Sequence, residues 1–252
     1  MLLERVSKMK YWIKKVVNRY CEDFGYKSLC EIGASLGGAT DRILEMNGIQ
    51  LTVIDPCLDA DLCAKYRNDK RVTIYKGLSL VIIPKLSETF DCILIDGDHN
   101  WYTVFNELRE IEERHLLRNG GTIFLHDVDW PYGRRDAYYQ PDTIPDAFRH
   151  AYAKKGNENS DHYDAETEGG ERNGVLTAIE DFVRDRGDEY MLFCFKAEFG
   201  LGVLVKKNGI KSQNTLAKWR LLCAIWNIFG SFIITIKHRD WTHLFDPPRE
   251  LV

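Results

Sequence analysis

Short apolar runs alternate along the chain with segments in which apolar residues recur every three or four positions. The runs have the length of buried strands, and the segments between them have helical spacing. Repeated strand–helix alternation predicts a parallel sheet with right-handed crossovers, that is, a doubly wound α/β fold. Six of the predicted strands lie at 28–31, 50–55, 72–77, 91–96, 190–195 and 201–205. The segment 116–127 predicts a helix end, a glycine turn and then the remaining strand, which is the fifth along the chain.

The order of these elements predicts how the chain is organised. The last two strands are joined by a short turn and predict a hairpin that closes the sheet. We therefore expect one Rossmann-like domain over 27–207, in which a helix over about 103–117 follows the fourth strand. Before it, 1–26 has the pattern of an amphipathic helix that covers one edge of the sheet, with apolar residues at Leu2, Val6, Met9, Ile13, Val16 and Tyr20.

The C-terminal extension, 208–252, contains an apolar run of 16 residues at 221–236. A membrane-spanning helix needs about 20 such residues, so the run is too short to cross a bilayer. We predict a helix over 216–236 that packs on the domain or on a second subunit of a homo-oligomer. Aromatic residues and flanking cations also suit a helix that lies on a membrane surface, which stays open as an alternative.

Between 128 and 172 the periodic pattern breaks. This segment is rich in proline and aromatic residues and carries an acidic tract over 158–171. A long insertion of this kind inside a compact domain is usually functional, so we predict a lid whose aromatic rings suit the faces of sugars. Arg134 and Arg135 could hold an anionic substrate or form salt bridges within the lid.

Composition and charge restrict the function only mildly. Hydrophobic residues make up 44% of the chain and charged residues 29%, as in soluble globular proteins. The net charge of −4 argues against a nucleic-acid partner. The N-terminus lacks the apolar core of a signal peptide, and the seven scattered cysteines form no C-x-x-C pair, which favours a cytoplasmic protein with reduced thiols.

The segment 28–40 predicts a ligand-binding loop between a strand and a helix. Its pattern, E-x-G-x-x-x-G-G, begins at Glu31 and includes Gly33, Gly37 and Gly38. Glycine lets a backbone turn sharply and approach a ligand closely. The pattern is neither the G-x-G-x-x-G of dinucleotide sites nor a P-loop, which disfavours an oxidoreductase. Taken alone, it could also be an ordinary glycine-rich turn.

Polar side chains follow three of the other predicted strands. Asp55 ends the second strand and is placed to accept hydrogen bonds from ribose hydroxyls. The sequence DGDHNWY begins at Asp96 after the fourth strand, and His126 and Asp127 end the fifth. Since ligands bind beyond the carboxyl ends of the strands of such sheets, we expect these groups to share one crevice.

The four motifs EIGASLGG at 31–38, VIDP at 53–56, FDCILIDGDHNW at 90–101 and GGTIFLHD at 120–127 resemble class I S-adenosylmethionine-dependent methyltransferases. More narrowly, they resemble the sugar and small-molecule O-methyltransferases that include macrocin O-methyltransferase and its cephalosporin-pathway relatives. The resemblance implies a seven-stranded sheet with the last strand antiparallel. It also implies S-adenosylmethionine as the cofactor, with binding residues Glu31, Gly33, Ala34, Ser35, Gly37, Asp55, Asp96 and, beside the adenine, Gly77, Leu78 and Ser79.

The same resemblance implies a chemistry for the strand ends. Many members hold Mg²⁺ with acids that correspond to Asp96 and Asp127, and some use a histidine at the position of His99 as general base. A divalent ion lowers the pKa of a hydroxyl group, and a base then takes its proton. His126 stands where an acid or amide is often found, so it could be a metal ligand, an alternative base or a supporting group. Alternatively, His99 is structural and Asp98 caps the following helix.

Two hypotheses from different classes follow. The first is an S-adenosylmethionine-dependent O-methyltransferase that acts on a carbohydrate or another small polar natural product, with Asp96, His99 and His126 as catalytic residues. The second is a noncatalytic cofactor-binding or scaffold protein that the segment 216–236 recruits to a membrane or complex. Either protein would be cytoplasmic, with peripheral membrane contact as an additional expectation of the second.

Overall fold

The computed structural model describes residues 8–58, 60–154 and 162–235. Within this part of the chain, seven strands form the central sheet in the order β3-β2-β1-β4-β5-β10-β9. Strands β1 to β5 are parallel, and β10 runs antiparallel to both β5 and β9. The predicted sheet and its closing hairpin are therefore confirmed. The strands are β1 Ser28–Ile32, β2 Gln50–Asp55, β3 Val72–Lys76, β4 Phe90–Ile95, β5 Leu117–His126, β9 Tyr190–Phe195 and β10 Leu201–Lys206.

Helices cover both faces of the sheet. One face carries α1 Lys8–Trp12, α2 Asn18–Phe24, α3 Gly38–Ile43, α4 Ala60–Tyr66 and α8 Gln213–Thr235, which share one apolar core with the sheet. The other face carries α5 Ser79–Ile82, α6 Trp101–Glu113 and α7 Val175–Arg186 around a second core. Burial of these two apolar layers is the main force that stabilises the fold.

The N-terminal helix lies over the face of the sheet and not along its edge. A π-turn at Ile13–Val17 joins α1 to α2, and Trp12 and Tyr20 are fully buried. The Tyr20 ring lies 5.2 Å from that of Phe124 in β5, an inner strand. Large aromatic residues at helical spacing explain this position, because they bury most area against the middle of a sheet. Leu2 and Val6 lie outside the described residues.

The prediction of a glycine turn before the fifth strand is wrong. Residues 117–126 form one strand, and the pairing of β4 with β5 shifts register between Phe90 and Cys92. Gly120, with φ of 73°, allows this bulge inside the strand. Its carbonyl oxygen accepts a hydrogen bond of 2.6 Å from the Tyr26 hydroxyl. The preceding helix accordingly ends at Glu113 and not near 117.

The lid folds into a small sheet of its own, which the sequence pattern did not predict. Strands β6 Ala137–Tyr138, β7 Tyr152–Lys154 and β8 Tyr163–Ala165 pair antiparallel in the order β6-β8-β7. Residues 155–161 of the acidic tract lie outside the described part. Arg135 pairs with Glu168 at 3.4 Å within the lid, as the salt-bridge interpretation predicts, whereas Arg134 pairs at 2.6 Å with Glu180 in α7, outside the lid.

A buried carboxylate fastens the lid to the sheet. Asp136 is fully buried, and its Oδ1 accepts hydrogen bonds of 2.7 Å from the backbone N–H groups of Trp101 and Gly174. Its Oδ2 accepts a third from the Tyr138 hydroxyl at 2.8 Å. The next residue, Ala137, donates its N–H to the carbonyl of His99 at 2.9 Å. The lid is therefore attached to the loop that follows β4.

The C-terminal segment forms a helix, as predicted, over Gln213–Thr235. Of the helices in the described ranges, none combines the length and apolarity needed to cross a membrane. The helix packs on the domain through Leu216, Trp219 and Cys223, which are buried. Positions 236–239 of the predicted segment and its basic flank lie outside the described residues.

Candidate active site

The loop between β1 and α3, residues 33–38, lies against the loop that follows β4. A Cβ atom on Gly33 would stand 2.3 Å from the backbone oxygen of Asp96, and the φ of Gly33 is 89°. Only glycine fits this contact, because any other side chain would collide with backbone atoms. Gly33 also donates its N–H to the Ile54 carbonyl at 2.9 Å. We call residues 33–38 the cofactor loop; Ala34, Ser35 and Gly37 belong to it.

Glu31 lies beneath the cofactor loop and is 2% exposed. Its Oε2 accepts a hydrogen bond of 2.6 Å from the Thr40 hydroxyl in α3, whereas Oε1 has no partner among the described residues. Burial raises the pKa of Glu31 to about 8. An unsatisfied buried carboxyl oxygen is costly, which indicates that a hydrogen-bond donor belongs there. The amino group of a bound amino-acid moiety is such a donor.

Asp55 connects the end of β2 to the cofactor loop. Its Oδ2 accepts the Ser35 N–H at 2.8 Å, and its Oδ1 accepts the Cys57 N–H at 2.6 Å. Each carboxylate oxygen can accept a further hydrogen bond, so the group can still bind ribose hydroxyls. At the end of the neighbouring β3, Gly77 donates its N–H to the Asp55 carbonyl at 3.2 Å. Leu78 and Ser79 follow at the start of α5, so this predicted adenine side also lies at the carboxyl edge.

Four side chains at the ends of β4 and β5 meet in one group: Asp96, His99, His126 and Asp127. We call this group the catalytic cluster, after the role that the sequence predicts for it. His126 Nδ1 lies 2.9 Å from Asp96 Oδ1 and 3.1 Å from Asp127 Oδ2. His99 Nε2 lies 3.1 Å from the same Asp127 oxygen and 3.6 Å from Asp96 Oδ1. The sequence expectation that these residues share a crevice agrees with these distances.

The charges of the cluster depend on one another. Burial alone would raise the pKa of Asp96, but the two histidines outweigh it and lower that pKa to about 2. Burial alone would lower the pKa of both histidines, but the carboxylates of Asp96 and Asp127 outweigh it. They raise the pKa of His99 to about 9 and that of His126 to about 10. The two carboxylates therefore stabilise the cationic form of each imidazole.

The donor set of the cluster fits a divalent metal ion. One ligand atom from each of Asp96, His126 and Asp127 lies within 4.8 Å of the others. Asp127 Oδ1 is buried and has no hydrogen-bond partner in the described part of the chain. The site therefore adds an imidazole to the two predicted carboxylates. Mg²⁺ prefers oxygen ligands, and an imidazole ligand extends the range of acceptable ions toward Mn²⁺ and Fe²⁺.

The turn between β9 and β10 completes the surroundings of His126. Three successive residues without the freedom of glycine, Ala197, Glu198 and Phe199, have φ of 80°, 45° and 66°. The Glu198 carbonyl lies 3.3 Å from His126 Nε2. In the neutral ring, Nε2–H donates a hydrogen bond to this carbonyl, so Nδ1 carries no proton. Nδ1, which faces the carboxylates, is then the atom that can bind a metal ion. The short turn itself was predicted from the sequence, but its left-handed backbone and its approach to His126 were not, because the segment 196–200 contains only Gly200 as a signal.

His99 is placed at the entrance of the cluster. Its side chain is 14% exposed, whereas those of His126 and Asp127 are nearly inaccessible. Two lid rings flank it, with centroids 5.9 Å away for Tyr132 and 5.8 Å for Tyr139. The alternative that Asp98 caps α6 is wrong: Asn100 Oδ1 accepts the Thr103 N–H at 2.8 Å, and Asp98 accepts the Thr103 hydroxyl instead. The aromatic residues of the lid are evident from the sequence, but the sequence does not indicate which of them lie beside His99.

Comparison with known proteins gives one family match. Residues 30–128 match a family model described as a methyltransferase domain. This range contains β1, β2, β4 and β5 with the polar groups at their carboxyl ends. A search of the curated proteins finds no match to the sequence.

Solved structures with the same fold include two methyltransferases. One is the S-adenosylhomocysteine-bound methyltransferase from Podospora anserina, with 18% identity, a TM-score of 0.52 and coverage of 79% of this chain and 78% of that one. The other is a Staphylococcus aureus protein provisionally assigned as a caffeoyl-CoA O-methyltransferase, with 15% identity, a TM-score of 0.50 and coverage of 78% and 83%. At these identities the likeness is one of fold.

Proposed function

We propose that this chain is a class I, S-adenosylmethionine-dependent methyltransferase and that it methylates a hydroxyl group of a sugar, a glycan or another small polar natural product. The observation that carries the proposal is the position of His99 between two carboxylates, next to the loop that Gly33 packs against Asp96. This position, beside the predicted donor site, supports a role for His99 as the proton acceptor. The narrower likeness to the macrocin group stays a prediction.

The reaction needs a methyl donor and a nucleophilic oxygen. S-adenosylmethionine supplies a sulfonium whose methyl group is already a good electrophile. In the proposal, Glu31 accepts a hydrogen bond from the donor's amino group and Asp55 accepts those of its ribose. The cofactor loop and Gly77, Leu78 and Ser79 enclose the rest of the donor. These contacts orient it for in-line transfer, which lowers the entropic part of the barrier.

The harder part is to make a neutral hydroxyl group nucleophilic. His99 takes the hydroxyl proton in this proposal, since its side chain is the more exposed of the two histidines of the catalytic cluster. Asp96, His126 and Asp127 would hold a divalent ion, whose charge would acidify the hydroxyl group and offset the carboxylates that now raise the pKa of His99. Mg²⁺ is the ion predicted from the sequence, and Mn²⁺ suits the imidazole ligand as well.

The lid supports a carbohydrate as the acceptor. Tyr132 and Tyr139 flank His99, and the Trp130 ring is 71% exposed nearby in the chain. Aromatic faces pack against the apolar C–H faces of sugars, and the Tyr hydroxyls can hydrogen-bond to sugar hydroxyls. The noncatalytic scaffold is not favoured, because it would give the catalytic cluster no task.

The proposal is tested first by calorimetric titration with S-adenosylhomocysteine, with NAD as the ligand control. We expect binding of S-adenosylhomocysteine alone, and a loss of about tenfold or more in affinity in Gly33→Ala, because the new Cβ collides with the Asp96 backbone. Gly25→Ala is the matched control, since Gly25 also has positive φ but open space around it. Equal affinity in the Gly33 and Gly25 variants would contradict the assignment of the cofactor loop.

The metal site predicts a pH-dependent affinity. The carboxylates of Asp96 and Asp127 raise the pKa of His126 to about 10, so a metal ion that binds this imidazole would compete with a proton. We expect affinity for Mn²⁺ or Mg²⁺ to rise by up to about tenfold per pH unit between about pH 6 and 8, with proton release visible in calorimetry in different buffers. His126→Asn removes the site, whereas His115→Asn, at an exposed turn, leaves it intact. Binding that is independent of pH and of His126 would contradict this assignment.

A further inference from the structure

The outer face of α8 exposes a row of large apolar side chains. Leu221, Ile225, Ile228 and Phe229 are 61%, 39%, 68% and 56% exposed. They recur at helical spacing opposite the buried face that contacts the domain, so the domain does not cover them. Contiguous exposed apolar surface of this kind marks an interaction site more often than a solvated face.

The N-terminal helix lies beside α8 on the same face of the sheet. Trp219 Nε1 donates a hydrogen bond to Asp23 at 2.8 Å, and the rings of Trp226 and Trp12 are 5.7 Å apart. Both helices contribute to one apolar core. Their outer surfaces therefore face the same way, and we call them together the helix-pair face: the outer surface of 8–24 and 213–235.

The two segments that form the helix-pair face, 8–24 and 213–235, are basic in an acidic protein. They contain seven basic residues and two acidic ones, a net charge of +5, whereas the whole chain has −4. The rest of the chain therefore carries −9. One of the acidic residues, Asp23, pairs with Lys218 at 2.9 Å. The basic residues are Lys8, Lys10, Lys14, Lys15, Arg19, Lys218 and Arg220.

We propose that the helix-pair face binds an anionic lipid surface. Exposed apolar side chains between basic residues fit an interface where apolar groups enter the acyl boundary and cations meet phosphate headgroups. A second copy of the chain fits less well, because a two-fold contact across this face would bring its own positive charges together. The proposal is independent of the methyl acceptor.

The test is co-sedimentation of the full chain with vesicles of phosphatidylcholine alone and with vesicles that also contain about 30% phosphatidylserine. We expect binding to the anionic vesicles, weakened by salt. Two double variants test the two parts of the face: one removes apolar side chains (Leu221→Gln with Ile228→Gln), and the other reverses basic charges (Lys14→Glu with Arg220→Glu). Each should reduce the ratio of vesicle-bound to free protein by about tenfold. Val81→Gln and Arg109→Glu are the matched controls, because both residues are exposed on helices of the opposite sheet face.

Each other outcome overturns the proposal. The proposal is wrong if the wild-type protein binds equally to vesicles with and without phosphatidylserine. It is also wrong if the two double variants bind to anionic vesicles as well as the control variants do. A dimer in analytical ultracentrifugation that Leu221→Gln with Ile228→Gln converts to a monomer would assign the face to a second copy. Binding to duplex nucleic acid but not to vesicles would assign it to a polyanion. Circular dichroism and S-adenosylhomocysteine affinity establish that the variants remain folded.

Discussion

His99→Asn is expected to lower the turnover number by about 10²–10⁴-fold while S-adenosylhomocysteine binds as before. The variant keeps a polar side chain of similar position but has no group that accepts a proton near neutral pH. His99 is the more exposed histidine of the catalytic cluster, with Nε2 3.1 Å from Asp127 Oδ2 and two lid tyrosines beside its ring. The measurement is release of S-adenosylhomocysteine with an acceptor found by screening sugars and glycans.

His115→Asn provides the matched control, because His115 is an exposed residue in the turn after α6 and has a φ of 54° that asparagine tolerates. Asp96→Asn should also lose turnover, since Asp96 faces both histidines of the cluster. Turnover by His99→Asn at the rate of the His115 control would show that another group takes the proton. His126 would then be the first alternative base to test.

Glu112→Ala is expected to lower the free energy of unfolding by about 3–5 kcal/mol. Lys206 Nζ lies 3.0 Å and 2.9 Å from the two Glu112 oxygens, and the Tyr190 hydroxyl donates a third hydrogen bond to this carboxylate. Both charged side chains are about 90% buried, so loss of one leaves the other unpaired in the core. Urea denaturation measures the change, and S-adenosylhomocysteine affinity should not alter, because Lys206 lies at the far end of β10 from the catalytic cluster.

The neighbouring residue supplies the control. Glu113 pairs with Arg109 on the exposed side of α6, so Glu113→Ala should cost at most about 1 kcal/mol. Replacing both buried partners, with Glu112→Leu and Lys206→Met, should restore most of the lost stability. If Glu112→Ala were no more destabilising than Glu113→Ala, the buried pair would not stabilise the fold.

The same pair predicts an acid sensitivity. Burial alone would raise the pKa of Glu112, but the Tyr190 hydroxyl and the Lys206 ammonium outweigh it and hold the pKa below its ordinary 4.5. A lowered pKa in the folded state gives stability that is present above about pH 4.5 and is lost as the pH falls through the folded value. The stability difference between the wild type and Glu112→Gln should therefore shrink in acid.

The strands of the sheet could be predicted because they are buried on both faces. Such strands consist of continuous apolar runs, as at Phe90–Ile95, that differ clearly from the amphipathic segments between them. The lid sheet could not be predicted in this way, because its strands have only two or three residues. Its first strand is also fixed by hydrogen bonds that Asp136 forms with Asn173 and Tyr138, and the sequence pattern does not indicate these contacts. The carbonyl at the Gly120 bulge accepts a hydrogen bond from Tyr26, a residue distant in sequence, which the local pattern around Gly120 does not indicate.

The candidate site was predictable where it depends on strand ends. Asp55, Asp96 and Asp127 each follow an apolar run, so topology alone brings them to one edge. The role of His126 as a bridge between two carboxylates depends on side-chain directions that spacing does not encode. The approach of Glu198 to His126 depends on a turn whose backbone is left-handed without a run of glycines.

The contact between Gly33 and Asp96 joins the proposed donor site to the proposed acceptor site. Because the cofactor loop and the first acid of the catalytic cluster touch through backbone atoms, a shift of one is expected to move the other. In the proposed enzyme, such coupling would make the affinity at each site depend on occupation of the other, and thermodynamic reciprocity would require the same factor in both directions. An acceptor that binds the donor-loaded enzyme more tightly would therefore also tighten the binding of the donor by that factor.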